Sequence, residues 1–68
     1  MKRLLPLASI ERLARKAGAE RISSDALLAI EEILEDYAKR VAEGSVKYAR
    51  YAKRSTIKRE DIDLSASE

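Results

Sequence analysis

The 68-residue chain contains no cysteine and no histidine. That removes disulfide staples, thiolate chemistry and the usual zinc ligands, and leaves carboxylates as the only strong metal donors. Phenylalanine and tryptophan are also missing, and the three aromatics are all tyrosine, a composition better suited to packed helices than to a sheet. No apolar run approaches the roughly 18 residues that a membrane span requires. Residues 1–8 begin like a secretory leader, but Glu11 and Arg12 end the apolar part early, so the segment reads as the lead-in to a first helix of a soluble protein. The lack of cysteine fits any redox compartment and favours the cytosol only weakly. A chain this short has a marginal private core; with disulfides and zinc removed, oligomerisation is the remaining way to complete it.

What is present is helical pattern. The segment 24–51 has no proline and one glycine, and at about 1.5 Å per residue it makes a rod of roughly 42 Å. Leu27, Ile30, Leu34, Tyr37 and Val41 step by three and four along it, the seam of a helix packed lengthwise on another and hence the expected dimer interface. Alanines 26, 29, 38, 42, 49 and 52, with Ile33 and Val46, widen the seam. The outer face is assigned Glu31, Glu32, Glu35, Lys39, Glu43, Lys47 and Arg50, with i,i+4 pairs Glu35–Lys39 and Glu43–Lys47. Ser23 or Ser24 caps the start and Asp25 suits its dipole. Gly44, inside the helix, predicts either close approach of a partner helix or a kink. A shorter helix from about Leu7, tolerating Pro6, presents Ile10, Leu13, Ala14 and Ala17 and ends at Gly18, a C-cap residue. A last helix starts near Lys58, offers Ile62 and Leu64, and fades by Ser65. With no repeats or long linkers, residues 1–68 form one all-α domain.

Charge is segregated. Residues 1–19 carry +4, 20–37 carry −5, 38–59 carry +7 and 60–68 carry −4. Such blocks suggest a face for a polyanion, with a solvated helix surface as the plain alternative. Glu31, Glu32, Glu35 and Asp36 form a carboxylate run, but without histidine, cysteine or a glycine-rich phosphate loop it reads as solvated surface; no catalytic residue, metal site, cofactor or small-molecule substrate is expected.

Two loops flank the rod, Arg21-Ile22-Ser23 and Arg54-Ser55-Thr56-Ile57. In one chain they stand at opposite ends of it. Two chains packed antiparallel would set loop one beside the partner's loop two at both ends, with Ile22 and Ile57 pairing as a short bridge and two identical basic edges resulting. Arginines, a threonine hydroxyl, loop N–H groups and a helix dipole are phosphate-binding groups.

The three-helix order, with Ala17-Gly18-Ala19-Glu20-Arg21-Ile22-Ser23 and Arg54-Ser55-Thr56-Ile57-Lys58-Arg59-Glu60-Asp61-Ile62, closely resembles the tailless histones of archaea and some bacteria over nearly the whole chain. The resemblance implies a histone fold, a handshake homodimer that bends and compacts double-stranded DNA with little sequence preference, and association with the chromosome in the cytoplasm. It implies that Arg21 enters the minor groove with support from Thr56, as in the related nucleosome, and that Arg12, with Arg15, contacts phosphate. Ser55 stands where relatives commonly carry lysine, predicting fewer phosphate contacts; Lys58 either adds charge or is simply solvated. Arg54 and Asp61 resemble an ion pair that braces the second loop. Tyr48 and Tyr51 replace the leucine and histidine of the family's dimer–dimer contact, alongside Asp61 and Leu64, and Gly18 resembles a glycine that lets neighbouring dimers stack. Any higher oligomers on DNA would assemble through that surface, which these replacements alter. The alternative is a histone-fold interaction subunit that heterodimerises within a transcription or chromatin complex.

Overall fold

Three helices follow from these patterns: α1 (Leu7–Lys16), α2 (Ser24–Tyr51) and α3 (Arg59–Ala66). The computed structural model describes residues 5–68; the first half of the lead-in, residues 1–4, lies outside the described residues. No strand occurs among the described residues, and Ile22 and Ile57 lie in loops. The chain divides within α2 into two compact units, Met1–Asp36 and Tyr37–Glu68.

In the first unit, Pro6 supplies an extended entry (φ −68°, ψ 127°) and no side chain caps α1. Its carbonyl accepts from the N–H groups of Ser9 (3.2 Å) and Ile10 (3.4 Å) instead. Ile10 is the residue α1 buries. The helix stops because Gly18 takes φ +107°, which lets its own N–H reach the Arg15 carbonyl (3.0 Å) and that of Ala19 reach Ala14 (3.1 Å), a Schellman closure. A Cβ on Gly18 would meet nothing within 4 Å; the positive φ is the reason for glycine there. Of the two serines offered as the cap of α2, Ser23 does it: its Oγ accepts from the Ala26 N–H at 3.1 Å.

Glu31 corrects the sequence reading. Assigned to the outer face, it is 3% exposed, and its Oε2 has no hydrogen-bond partner among the described residues. The reason is helical geometry: Glu31 lies four residues after Leu27 and three before Leu34, on the margin of the apolar stripe and not opposite it.

In the second unit, α3 docks on the second half of α2 through small polar groups. Ser45 (fully buried) and Ser65 (8% exposed) both donate to the Val41 carbonyl, at 2.7 and 2.8 Å. A Cβ built on Gly44 would collide with the Ser65 hydroxyl and sit 3.2 Å from Ser65 Cβ. The close approach expected of a partner helix is therefore made by α3 of the same chain, and α2 runs through Gly44 as continuous α-helix. The last helix continues to Ala66, beyond the fade expected at Ser65, because Ser65 and the Ser67 hydroxyl, which donates to the Asp63 carbonyl, are satisfied by backbone.

Little apolar surface is hidden. Among the described residues Ile10 and Ala49 are the buried hydrophobics, whereas Leu13 (58%), Ile33 (67%) and Tyr37 (51%) face outward.

Candidate nucleic-acid interface

Each loop owes its shape to how the preceding helix ends. Loop one leaves the Gly18 turn and is tied by Arg15, whose guanidinium donates to the Glu20 carbonyl (3.3 Å) and to Glu11 Oε2 (3.0 Å). Arg15 is thus drawn along its own helix into an exposed ion pair. Arg12 and Arg21 are exposed and have no hydrogen bond or ion pair to a described residue. Arg21 precedes the Ser23 cap by two positions, next to the N-terminal turn of α2 with its unpaired N–H groups and positive dipole end.

Loop two is a braced structure. Arg54 donates Nη1 to Asp61 Oδ2 (2.8 Å) and Nη2 to Oδ1 (3.0 Å), a bidentate pair, and Nη1 also reaches the Thr56 carbonyl at 3.1 Å. Glu60 adds a longer contact at 3.5 Å. The Lys58 N–H donates to Asp61 Oδ2 at 2.8 Å, so Asp61, 2% exposed, ties the start of α3 to the loop from inside. The Arg54 hydrogen bond, then the Lys58 N–H, hold the Asp61 carboxyl down to about 2 from an ordinary 3.8, against the opposing effect of burial. The same hydrogen bond to Asp61 raises the Arg54 guanidinium. Ser55, Thr56 and the Lys58 side chain are left exposed. A hollow of about 240 Å³ opens beside the loop, lined by Val46, Ala49, Arg50, Arg54, Ser55 and Ile57.

Of the residues expected at a dimer–dimer contact, Tyr51 (80%) and Leu64 (52%) are exposed. Tyr48 meets Tyr51 edge to face, centroids 6.4 Å apart at 84°, and donates its hydroxyl to Glu68 Oε1 at 2.5 Å, a bond that raises its pKa. Asp61 is different: both its oxygens are engaged within its own chain, so a tyrosine of a neighbouring dimer would have to compete with Arg54. Leu27, Ile30, Leu34 and Val41 are half-buried. The sequence reading missed the Ser45–Val41–Ser65 junction and the Tyr48–Glu68 bond; the hydroxyls stand at helix positions where serine carries no periodic signal.

Among the described residues no group of three or more acidic side chains is placed to hold a metal ion, and no helix is long and apolar enough to cross a membrane.

Comparison with known proteins agrees with this geometry. Residues 3–65 match the family model described as histone-like transcription factor (CBF/NF-Y) and archaeal histone. The chain is 52% identical over 61 residues to an archaeal histone HAN1 subunit from Thermococcus zilligii, covering 90% of this chain and 91% of that protein. It is 45% identical over 58 residues to probable archaeal histone 3 of Methanocaldococcus jannaschii, covering 85% and 87%. The short–long–short helices, the braced second loop and these matches place the chain in the family of histone-like transcription factors (CBF/NF-Y) and archaeal histones, DNA-binding chromatin proteins of histone fold and not enzymes.

Proposed function

We propose that the chain acts as a homodimer that binds, bends and compacts double-stranded DNA with little sequence preference. The observation that carries this reading is Arg21: an exposed guanidinium with no partner among the described residues, beside the N-terminus of a long helix. Dimerisation is supported by what each chain leaves uncovered, above all Ile33 and Tyr37 on α2 and Leu13 on α1. In an antiparallel pair, the partner's Ile22 segment would lie at the hollow lined by Val46, Ala49, Arg50, Arg54, Ser55 and Ile57. Each Arg21 then lies beside the partner's Thr56, and two such edges suit a curved duplex. Arg12 contributes a phosphate contact; Arg15, Ser55 and Lys58 lie close enough in sequence to these groups to add to the edge. Phosphate neutralisation and arginine insertion offset the elastic cost of bending, so affinity falls steeply with salt and easily bent sequences are favoured.

Arg21→Ala is expected to weaken binding to duplexes of unrelated sequence by a similar factor, measured by fluorescence anisotropy. Unchanged affinity and compaction would remove Arg21 from the interface. Whether dimers join through Tyr48, Tyr51 and Leu64, with Gly18 at a stacking contact, is read by nuclease digestion of the reconstituted complex: regular increments mean stepwise addition of dimers, and one short product means isolated dimers.

A heterodimeric role is the second reading: a different histone-fold chain would cover the exposed Leu13, Ile33 and Tyr37 as well as a second copy does. Mass in solution separates the two: a stable homodimer supports packaging alone, and a chain that folds only with another protein supports the heterodimer.

A further inference from the structure

The chain closes two helices with the same hydrogen-bond pattern and gives them different residues. After α1, Gly18 occupies the left-handed position, with Gly18 N–H on Arg15 (3.0 Å) and Ala19 N–H on Ala14 (3.1 Å). After α2, the Lys53 N–H donates to Arg50 and that of Arg54 to Ala49, both at 2.9 Å, and Lys53 holds φ +58°, alone among the described non-glycine residues in having positive φ. Glycine fills such a position without the steric penalty that a Cβ brings. A lysine here opposes the local preference that the same chain satisfies at Gly18, which directs attention to what its side chain supplies.

Local explanations are weak. Lys53 is exposed, so it packs no core. Arg50 already places a cation in the last turn of α2, and three of the last carbonyls, those of Tyr48, Ala49 and Arg50, already accept from N–H groups beyond the helix. Two neighbouring bases are occupied, Arg54 by Asp61 and Glu60 and Arg59 by Asp63 at 3.8 Å, whereas Arg50, one turn back on α2, and Lys58, at the far end of the loop, are exposed. Lys53 pairs with no carboxylate among the described residues. It stands immediately before Arg54 and Ser55, in a loop whose arginine is turned inward and whose next residue is neutral.

We propose that Lys53 is a phosphate-contacting residue of the second loop, and that it supplies there the free cation which Arg54 and Ser55 do not. This rests on the proposed binding of duplex DNA. The left-handed turn itself fixes the point from which the flexible side chain starts, while the ammonium needs only a phosphodiester within reach.

The test compares wild type, Lys53→Gly, Lys53→Asn and Lys53→Arg on one duplex across a range of salt, with urea midpoints measured in parallel. Each phosphate contact adds about 0.9 to the slope of log affinity against log salt, so a dimer losing two lysine contacts is expected to have a slope shallower by about 1.8. Lys53→Gly and Lys53→Asn should show that loss with urea midpoints equal to or above wild type, and Lys53→Arg should keep the wild-type slope. Wild-type slopes in both neutral variants overturn the proposal. So does a slope loss accompanied by lower midpoints in both, which makes the lysine a structural cap. If Arg21→Ala weakens binding while the neutral variants do not, the Lys53 contact fails and the proposed function stands. If wild type binds no duplex, both fail.

Discussion

Replacing Gly44 by alanine is normally a gain: in an exposed helix interior it stabilises by about 1 kcal/mol. Here the added methyl enters the seam between α2 and α3, where it meets the Ser65 hydroxyl and sits 3.2 Å from Ser65 Cβ. The hydroxyl can rotate away only by leaving the Val41 carbonyl, a bond of 2.8 Å worth about 1 kcal/mol net. The remaining Cβ contact then pushes α3 outward, and crowding of this kind costs about 1–3 kcal/mol. Propensity therefore loses, and Gly44→Ala should destabilise the protein by about 1–3 kcal/mol. Urea denaturation at fixed protein concentration measures it, since stability of a dimer depends on concentration. The double variant with Ser65→Gly removes both contacting atoms; relative to Ser65→Gly alone, Gly44→Ala should then be neutral or stabilising. A Gly44→Ala protein more stable than wild type by about 1 kcal/mol, the gain of an unobstructed helix position, would refute the reasoning, because it would mean that α3 does not lie against Gly44 in solution.

Three further outcomes follow from the described contacts. Glu31→Met should raise stability by about 1–3 kcal/mol, because a buried carboxylate oxygen without a partner is replaced by an apolar group of similar length; a loss in thermal denaturation would show that the assembled protein gives Glu31 a cation. Asp61, whose carboxyl is held at about 2 against an ordinary 3.8, contributes stability that is present above about pH 4 and is lost as pH falls towards about 2; a urea-midpoint series from about pH 5 to 2 should show this loss, and Asp61→Asn should flatten it. Ser23→Ala removes the Oγ cap on the Ala26 N–H and should cost about 1 kcal/mol, read from the same urea titration; no change would mean that water or Ser24 replaces the cap.

Much of the fold could be read from spacing because three of the helix ends carry a local signal. Pro6, Gly18 and Ser23 act through backbone geometry within a few residues, so the bounds of α1 and the start of α2 follow from local chemistry. The errors arose where the answer depended on which chain packs where. Gly44 signals close approach or a kink, but nothing in its spacing names Ser65 as the neighbour. Glu31 was assigned by its charge to the outer face, whereas the stripe through Leu27 and Leu34 carries that position inward. Lys53 gave no sequence signal at all, since positive φ at lysine is visible only in backbone geometry. The functional residues were legible mainly through resemblance: Arg21 and Thr56 have no spacing that by itself distinguishes a DNA contact from a solvated loop.

At the junction of Gly44, Ser45, Val41 and Ser65, α3 is held by direction as well as by closeness. Two hydroxyls fixed on one carbonyl define a direction and a register, which greasy contacts do not, and the missing side chain at Gly44 leaves no slack for a larger one. This joint resists substitution on its inner side while Ile62, Leu64 and Tyr51 outside it remain exposed. Sequence change in this part of the chain is thereby channelled to the outward positions, where it can alter what the protein meets without altering how α3 is held.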